Sequence, residues 1–226
     1  MLRSPRVVRR PESSDRGLPG SPARLLPTPA GTPFTFCYAL VLVATSLYAE
    51  YGDPATVSAL LRGSSTDVAH LAVAPMLVLV ASALWVAGGL ASPLAVVFLF
   101  VLTALERRIG AWRAAGVFLG GHVVATLATE IPVGLLVAAG QLPGSSLHRL
   151  DYGISFGLLA SVGALAGLFA PVPRAVVLGW VSVVLLGNLL AFEDPLADAG
   201  HLLALLVGVA SLPVVRRGAY SEEPCG

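Results

Sequence analysis

A chain of 226 residues that is 56% hydrophobic and only 12% charged is too apolar for a soluble domain, in which about a quarter of residues carry charge. Its charges bunch between long apolar runs, the pattern of a polytopic membrane protein. A formal net charge of +1 says nothing about partners, nothing in the charge pattern suggests nucleic acid, and Cys37 and Cys225 lie too far apart in setting to form a disulfide or a metal site.

Residues 1–33 are rich in Arg, Pro, Ser and Gly and lack a sustained apolar run. They read as a disordered basic cytoplasmic arm. A cleaved signal peptide needs its hydrophobic core close behind the first charges, and none is there. The first apolar segment follows at 35–51. Between Asp67 and Glu106 the chain is uncharged for longer than the roughly 20 residues one crossing requires. Pro75, Gly88, Gly89 and Pro93 break it into a surface-lying or re-entrant piece at 71–86 and a second span at 92–105. The third span is expected at 112–131, with an extension toward residue 139. The fourth, fifth and sixth follow at 152–170, 175–192 and 197–215, and a short cytoplasmic tail occupies 216–226.

Orientation follows from the arginines, since the sequence has no lysine. With the N-terminus inside, the internal segments hold Arg3, Arg6, Arg9, Arg10, Arg16, Arg24, Arg107, Arg108, Arg113, Arg174, Arg216 and Arg217. Only Arg62 and Arg149 fall outside, a strong positive-inside bias. The outer loops collect Asp53, Asp67, Asp151, Glu193, Asp194 and Asp198 instead. The expected architecture is an all-α bundle of six membrane helices over residues 34–215 with both termini cytoplasmic.

Ionisable or strongly polar side chains at membrane depth cost several kcal/mol unless paired, so each is a functional candidate. Here they are His122, Thr126 and Glu130 on span three, Ser155 on span four and His201 on span six. Spans four and six both begin outside, which sets Ser155 and His201 at similar depths, each within about one helical turn of the outer end. Gly153 and Gly157 frame the serine, Gly163 and Gly167 repeat that spacing, and Gly200 precedes the histidine. Small residues let helix backbones approach closely, close enough for hydroxyl and imidazole to bond as a nucleophile and its base do. Two readings of the serine stand together: that pair, or a hydroxyl bonded to its own backbone on a packing face. His201 can likewise be a base or a side chain reaching the headgroups. His122, Thr126 and Glu130 at i, i+4, i+8 share one face. That stripe either lines a water-filled cavity or forms a hydrogen-bond ladder between helices. His70 and His148 fall in outer, solvated positions.

Other chemistries find little here. No Cys/His/Asp cluster has metal-ligand spacing, and "GISFG" fits the G-x-S-x-G string without the strand–turn–helix context of a hydrolase elbow. No inverted repeat with paired broken spans suggests a transporter.

Over residues 35–215 the sequence resembles the rhomboid family, most of all its divergent bacterial members. The resemblance rests on "LERRIGAWR" (Leu105–Arg113), "GISFG" (Gly153–Gly157) and "DAGHLLALLVG" (Asp198–Gly208). It implies a six-helix bundle with a cavity open to the outside, in the plasma (inner) membrane. The implied activity is intramembrane serine proteolysis by a Ser155–His201 dyad without metal or cofactor. The implied partners are the lipid bilayer and membrane-anchored protein substrates, or client transmembrane helices if catalysis is weak or lost. Three departures bear on that choice. The family's Gly-x-Ser-Gly has Phe156 in its last place, where a phenyl ring is expected to crowd the oxyanion region. The His-x-x-x-Asn of the second span falls near Leu90 and Leu94, which donate no hydrogen bond. Ala204 replaces a glycine after the span-six histidine. Each missing oxyanion donor is worth about 10²–10³ in rate, and His122 or Gly153 are the candidates to stand in. Abundant Ala, Arg, Gly and Pro without lysine suggest a GC-rich bacterial source.

Overall fold

The computed structural model describes residues 26–219, all of it helix, turn and loop, with no strand among the described residues. Most of the predicted N-terminal arm and the last seven residues of the tail lie outside them. The elements are α1 (Pro33–Tyr51), α2 (Pro54–Gly63), α3 (Val68–Val73), α4 (Pro75–Ser82), α5 (Pro93–Ile109), α6 (Ala111–Ala138), α7 (Ser155–Gly167), α8 (Pro171–Ala191), α9 (Pro195–Ala210) and α10 (Leu212–Ala219). α1, α6 and α8 are long and apolar enough to cross a membrane, and α7 and α9 are shorter apolar helices.

Prolines set many of the starts, because the first helical position has no intrahelical N–H bond to lose. Pro33, Pro54, Pro75, Pro93, Pro171 and Pro195 all open helices in this way. Pro75 therefore divides the uncharged stretch into α3 and α4. Gly88 and Gly89, at φ 80 and 67, turn the chain into α5. The segment after α1 holds a helix with no counterpart among the predicted elements. This helix, α2, is capped by the Asp53 carboxylate on the Thr56 N–H at 2.8 Å, the ordinary N-cap device.

The "LERR" turn has a structural role. Glu106, 3% exposed, accepts from the N–H groups of Phe34 and Thr35 at 2.9 and 2.7 Å and from the Thr35 hydroxyl at 2.6 Å. A buried carboxylate thus sits on the N-terminus of α1, where unpaired N–H groups and the helix dipole favour it. Above it, Phe34, Tyr38, Phe98 and Phe118 pack α1, α5 and α6 together, the last two edge-on at 5.8 Å. The Tyr38 hydroxyl donates to the Ala83 carbonyl at 2.6 Å.

α7 forms the centre, packed most extensively on α9 and then on α6. Ten of its thirteen residues are buried. Glycine makes this approach possible. A Cβ at Gly208 of α9 would meet the Ala160 carbonyl of α7, and one at Gly163 would meet the Leu205 carbonyl of α9. Backbone cannot move aside as a side-chain tip can. Gly208→Val is expected to lower stability by about 1–3 kcal/mol or to block folding; thermal unfolding in detergent checks it, with the outward-facing Gly187→Val nearly neutral.

Two predicted spans are revised. The fourth starts as a helix only at Ser155, so α7 is about 20 Å long, and Gly153 precedes it rather than sharing a helix face with Gly157. The sixth breaks at Ser211: α9 ends at Ala210, and α10 runs into residues expected as tail.

Candidate active site

The loop that delivers Ser155 is fastened on three sides. The Asp151 carbonyl accepts from the Thr66 N–H at 2.8 Å, and the Asp151 N–H donates to the Ser65 hydroxyl at 3.0 Å. The Gly153 N–H then donates to the Ser82 carbonyl at 3.0 Å. Gly153 has φ 131, a conformation that only glycine adopts without strain. Arg149 pins the loop's other end: its guanidinium lies 2.6 Å from Glu130 of α6 and 3.3 Å from Asp194, the residue that caps α9. Burial pushes the Asp151 carboxyl up, against the pull of the Arg149 charge and the Thr66 hydroxyl.

Ser155 is the first residue of α7, and no side chain caps that helix. Its hydroxyl lies 3.1 Å from Nε2 of His201 on α9, within the range for proton transfer. The other ring nitrogen, Nδ1, is 3.7 Å from the carboxylate of Asp198, one turn back on α9. When Nδ1 carries the proton, Nε2 accepts from the serine, and the carboxylate faces the charge that forms on the ring. In the sequence Asp198 is only one outer-loop charge among several. Its i−3 spacing from His201 is the available signal.

Phe156 does not come between Ser155 and His201. It is 4% exposed and turns inward, packing edge-to-face against the His201 ring at 5.2 Å and 71°. Gly200 makes room: a Cβ there would come within 2.5 Å of the phenyl tip. The ring therefore forms a wall that holds the imidazole toward Ser155. Phe156→Gly, which restores the glycine of the resemblance, is expected to cost about 3–5 kcal/mol of stability; thermal unfolding in detergent reads it.

A groove of about 400 Å³ opens beside the pair, between Leu94 and Val97 of α5 and Trp180, Val181 and Val184 of α8. Gly153, Ser155 and His201 lie on its surface, with Tyr152 and Asn188 as the other polar side chains. Asn188 is not among the polar residues that the sequence singles out, hidden as it is in the apolar run of α8. Leu94 lines the groove where the family pattern has its amide.

The polar stripe of α6 lies behind this groove rather than in it. His122, 2% exposed, bonds the Ser82 hydroxyl through Nε2 at 3.0 Å and so anchors α4, whose Ser82 carbonyl holds Gly153. Glu130, 1% exposed, is bound to Arg149. Thr126 is fully buried, and its hydroxyl has no partner among the described residues. His122 is not among the residues that line the groove. Its Nε2 is engaged, and it supports the loop from below. His70 is paired with Asp67 at 2.9 Å rather than simply solvated. Among the described residues no group of His, Cys, Asp or Glu gathers as a metal site.

The geometry defines an all-helical membrane protein with a hydroxyl–imidazole pair at the end of an apolar groove. The sequence profile described as rhomboid-like protein matches residues 30–221, and the chain belongs to the rhomboid-like family. No curated protein and no solved structure matches it.

Proposed function

We propose that this chain is an intramembrane serine protease that cleaves membrane-anchored proteins, with Ser155 as nucleophile and His201 as general base and then acid. The observation that carries this reading is the 3.1 Å contact between hydroxyl and imidazole at the surface of a groove broad enough for a peptide segment. The arginine distribution supports six crossings by α1, α5, α6, α7, α8 and α9, with both termini cytoplasmic and α2–α4 on the outer side of a bacterial plasma membrane.

In the first step Ser155 Oγ bonds to the scissile carbonyl carbon while its proton passes to Nε2 of His201, and the carbonyl electron pair moves onto oxygen. The uncapped first turn of α7 offers backbone N–H groups without intrahelical partners, Ser155's own among them. They take the place of the side-chain donors missing at Leu90 and Leu94 in stabilising that oxyanion. Collapse breaks the C–N bond, and the amine departs with the proton from Nε2. Water then attacks the acyl-enzyme by the same route in reverse. Asp198 orients the ring and offsets the positive charge formed on it.

The test is reconstitution in proteoliposomes with a panel of single-span reporters whose outer helix ends contain glycine or serine. Wild type is expected to cut one or more of them and Ser155→Ala none. Equal cleavage by both would overturn the assignment. The second reading, a protein that binds client transmembrane helices without cutting them, is favoured by one observation: Leu94 presents methyl groups to the groove where the family pattern has an amide. Reporters that co-purify uncut with wild type select it.

A further inference from the structure

We infer that Asn188 of α8 is a substrate-binding residue whose carboxamide hydrogen-bonds the backbone of an unwound peptide lying in the groove. The inference rests on the reading of the groove as the site of membrane-anchored substrates. α8 is apolar around most of its surface, and lipid-facing valines and leucines dominate its exposed residues. Asn188 breaks that pattern three residues before the helix ends at Ala191, about one turn from the outer end. Ser155, as the first residue of α7, and His201, in the second turn of α9, lie at the same level, and all three line one groove.

A primary amide on an exposed face at membrane depth, with no hydrogen bond among the described residues, costs free energy that leucine in its place would avoid. It carries two donors and one acceptor. The rest of the groove near it is Val184 and Leu185, which can satisfy no polar group, and Trp180, whose indole N–H can only donate. A helix that unwinds to present a scissile bond exposes N–H and C=O groups that hydrocarbon cannot satisfy. The amide is matched to that need: one donor for a peptide carbonyl, one acceptor for a peptide N–H. In an intact helix these groups are already paired everywhere but in the terminal turns. Asn188 therefore discriminates for substrates whose outer turn opens.

Binding measured on the uncleaving Ser155→Ala protein separates this inference from the protease reading. The probes are two fluorescent synthetic Leu/Ala helices in nanodiscs, one with a Gly-Ser-Gly break in its outer turn and one unbroken. Adding Asn188→Leu is expected to weaken the broken helix roughly tenfold and leave the unbroken helix unchanged, while Asn188→Gln, which keeps the amide, stays within about threefold of the parent. Equal affinity of the parent and Asn188→Leu for the broken helix, the same loss for both helices, or no binding of the broken helix to the parent overturns the inference. Failure of wild type to cut reporters, with the Asn188 effect intact, instead overturns the catalytic reading alone.

Discussion

Ser155→Ala and His201→Ala are each expected to lower reporter cleavage by about 10³-fold or more, and the double variant to be hardly slower than either. Residues that act as one unit lose their joint contribution once either is gone. The serine hydroxyl is a poor nucleophile unless its proton has somewhere to go, and Nε2 of His201 at 3.1 Å is the only base within reach of it among the described residues. Without His201 the hydroxyl remains protonated in an apolar groove. Without Ser155 the imidazole has only water to activate. Single-turnover kinetics on the three variants decide the matter. Multiplicative losses in the double variant would mean that the residues act separately, and proton transfer from Ser155 to His201 would be ruled out as the catalytic step.

The second large effect is expected from Arg149→Met. Arg149 is the sole cation beside a buried carboxylate, Glu130, among the described residues, at 2.6 Å, and it also faces Asp151 at 3.7 Å and Asp194 at 3.3 Å. Removing one partner of a buried pair leaves the other charge uncompensated, at about 3–5 kcal/mol. Glu130→Leu combined with Arg149→Met is expected to recover much of that loss, because no orphan charge then remains. The pH dependence has a defined sign. Asp151 already has its carboxyl raised by burial and opposed by Arg149, so loss of the guanidinium raises it further. A carboxyl raised in the folded state stabilises below its unfolded value, and that stability is lost as pH rises through the folded one. Arg149→Met therefore approaches wild-type stability as pH is lowered toward the carboxylate range. Thermal unfolding of the two proteins and the double variant at several pH values checks both statements. Because Arg149 also ties down the loop before Ser155, reporter cleavage is expected to fall with it.

Much of the scaffold is legible in the sequence because its signals are local. Proline at a first helical position and paired glycines in a turn act within a few residues, and Pro75, Gly88, Gly89 and Pro93 break the uncharged stretch where they stand. The proximity of Ser155 and His201 is legible for a different reason. Two parallel helices with small residues at matched depth have few ways to pack, and Gly163 and Gly208 bring α7 and α9 into backbone contact.

The rest depends on distant partners. Gly153 has the spacing of half a helix-packing pair, but its neighbours are fixed by Ser65, Thr66 and Ser82 from another part of the chain. Phe156 has the bulk of an obstruction, yet the space beside Gly200 that receives its ring belongs to α9. Spacing alone leaves both alternatives open for the α6 stripe. What it faces depends on Ser82 and Arg149, which lie 40 residues before His122 and 19 after Glu130. Asp198 and Asn188 are hidden by composition, one among outer-loop acids and one in an apolar helix.

The most direct measurement is a covalent tag on the nucleophile. The purified protein in lipid is treated with a fluorophosphonate, digested and read by mass spectrometry for the modified residue. Phosphonylation of Ser155 is expected in wild type, with its loss in His201→Ala while Ser161 and every other serine stay unmodified. A tag on a different serine, or equal modification of Ser155 with and without His201, would show that this hydroxyl and imidazole do not work together.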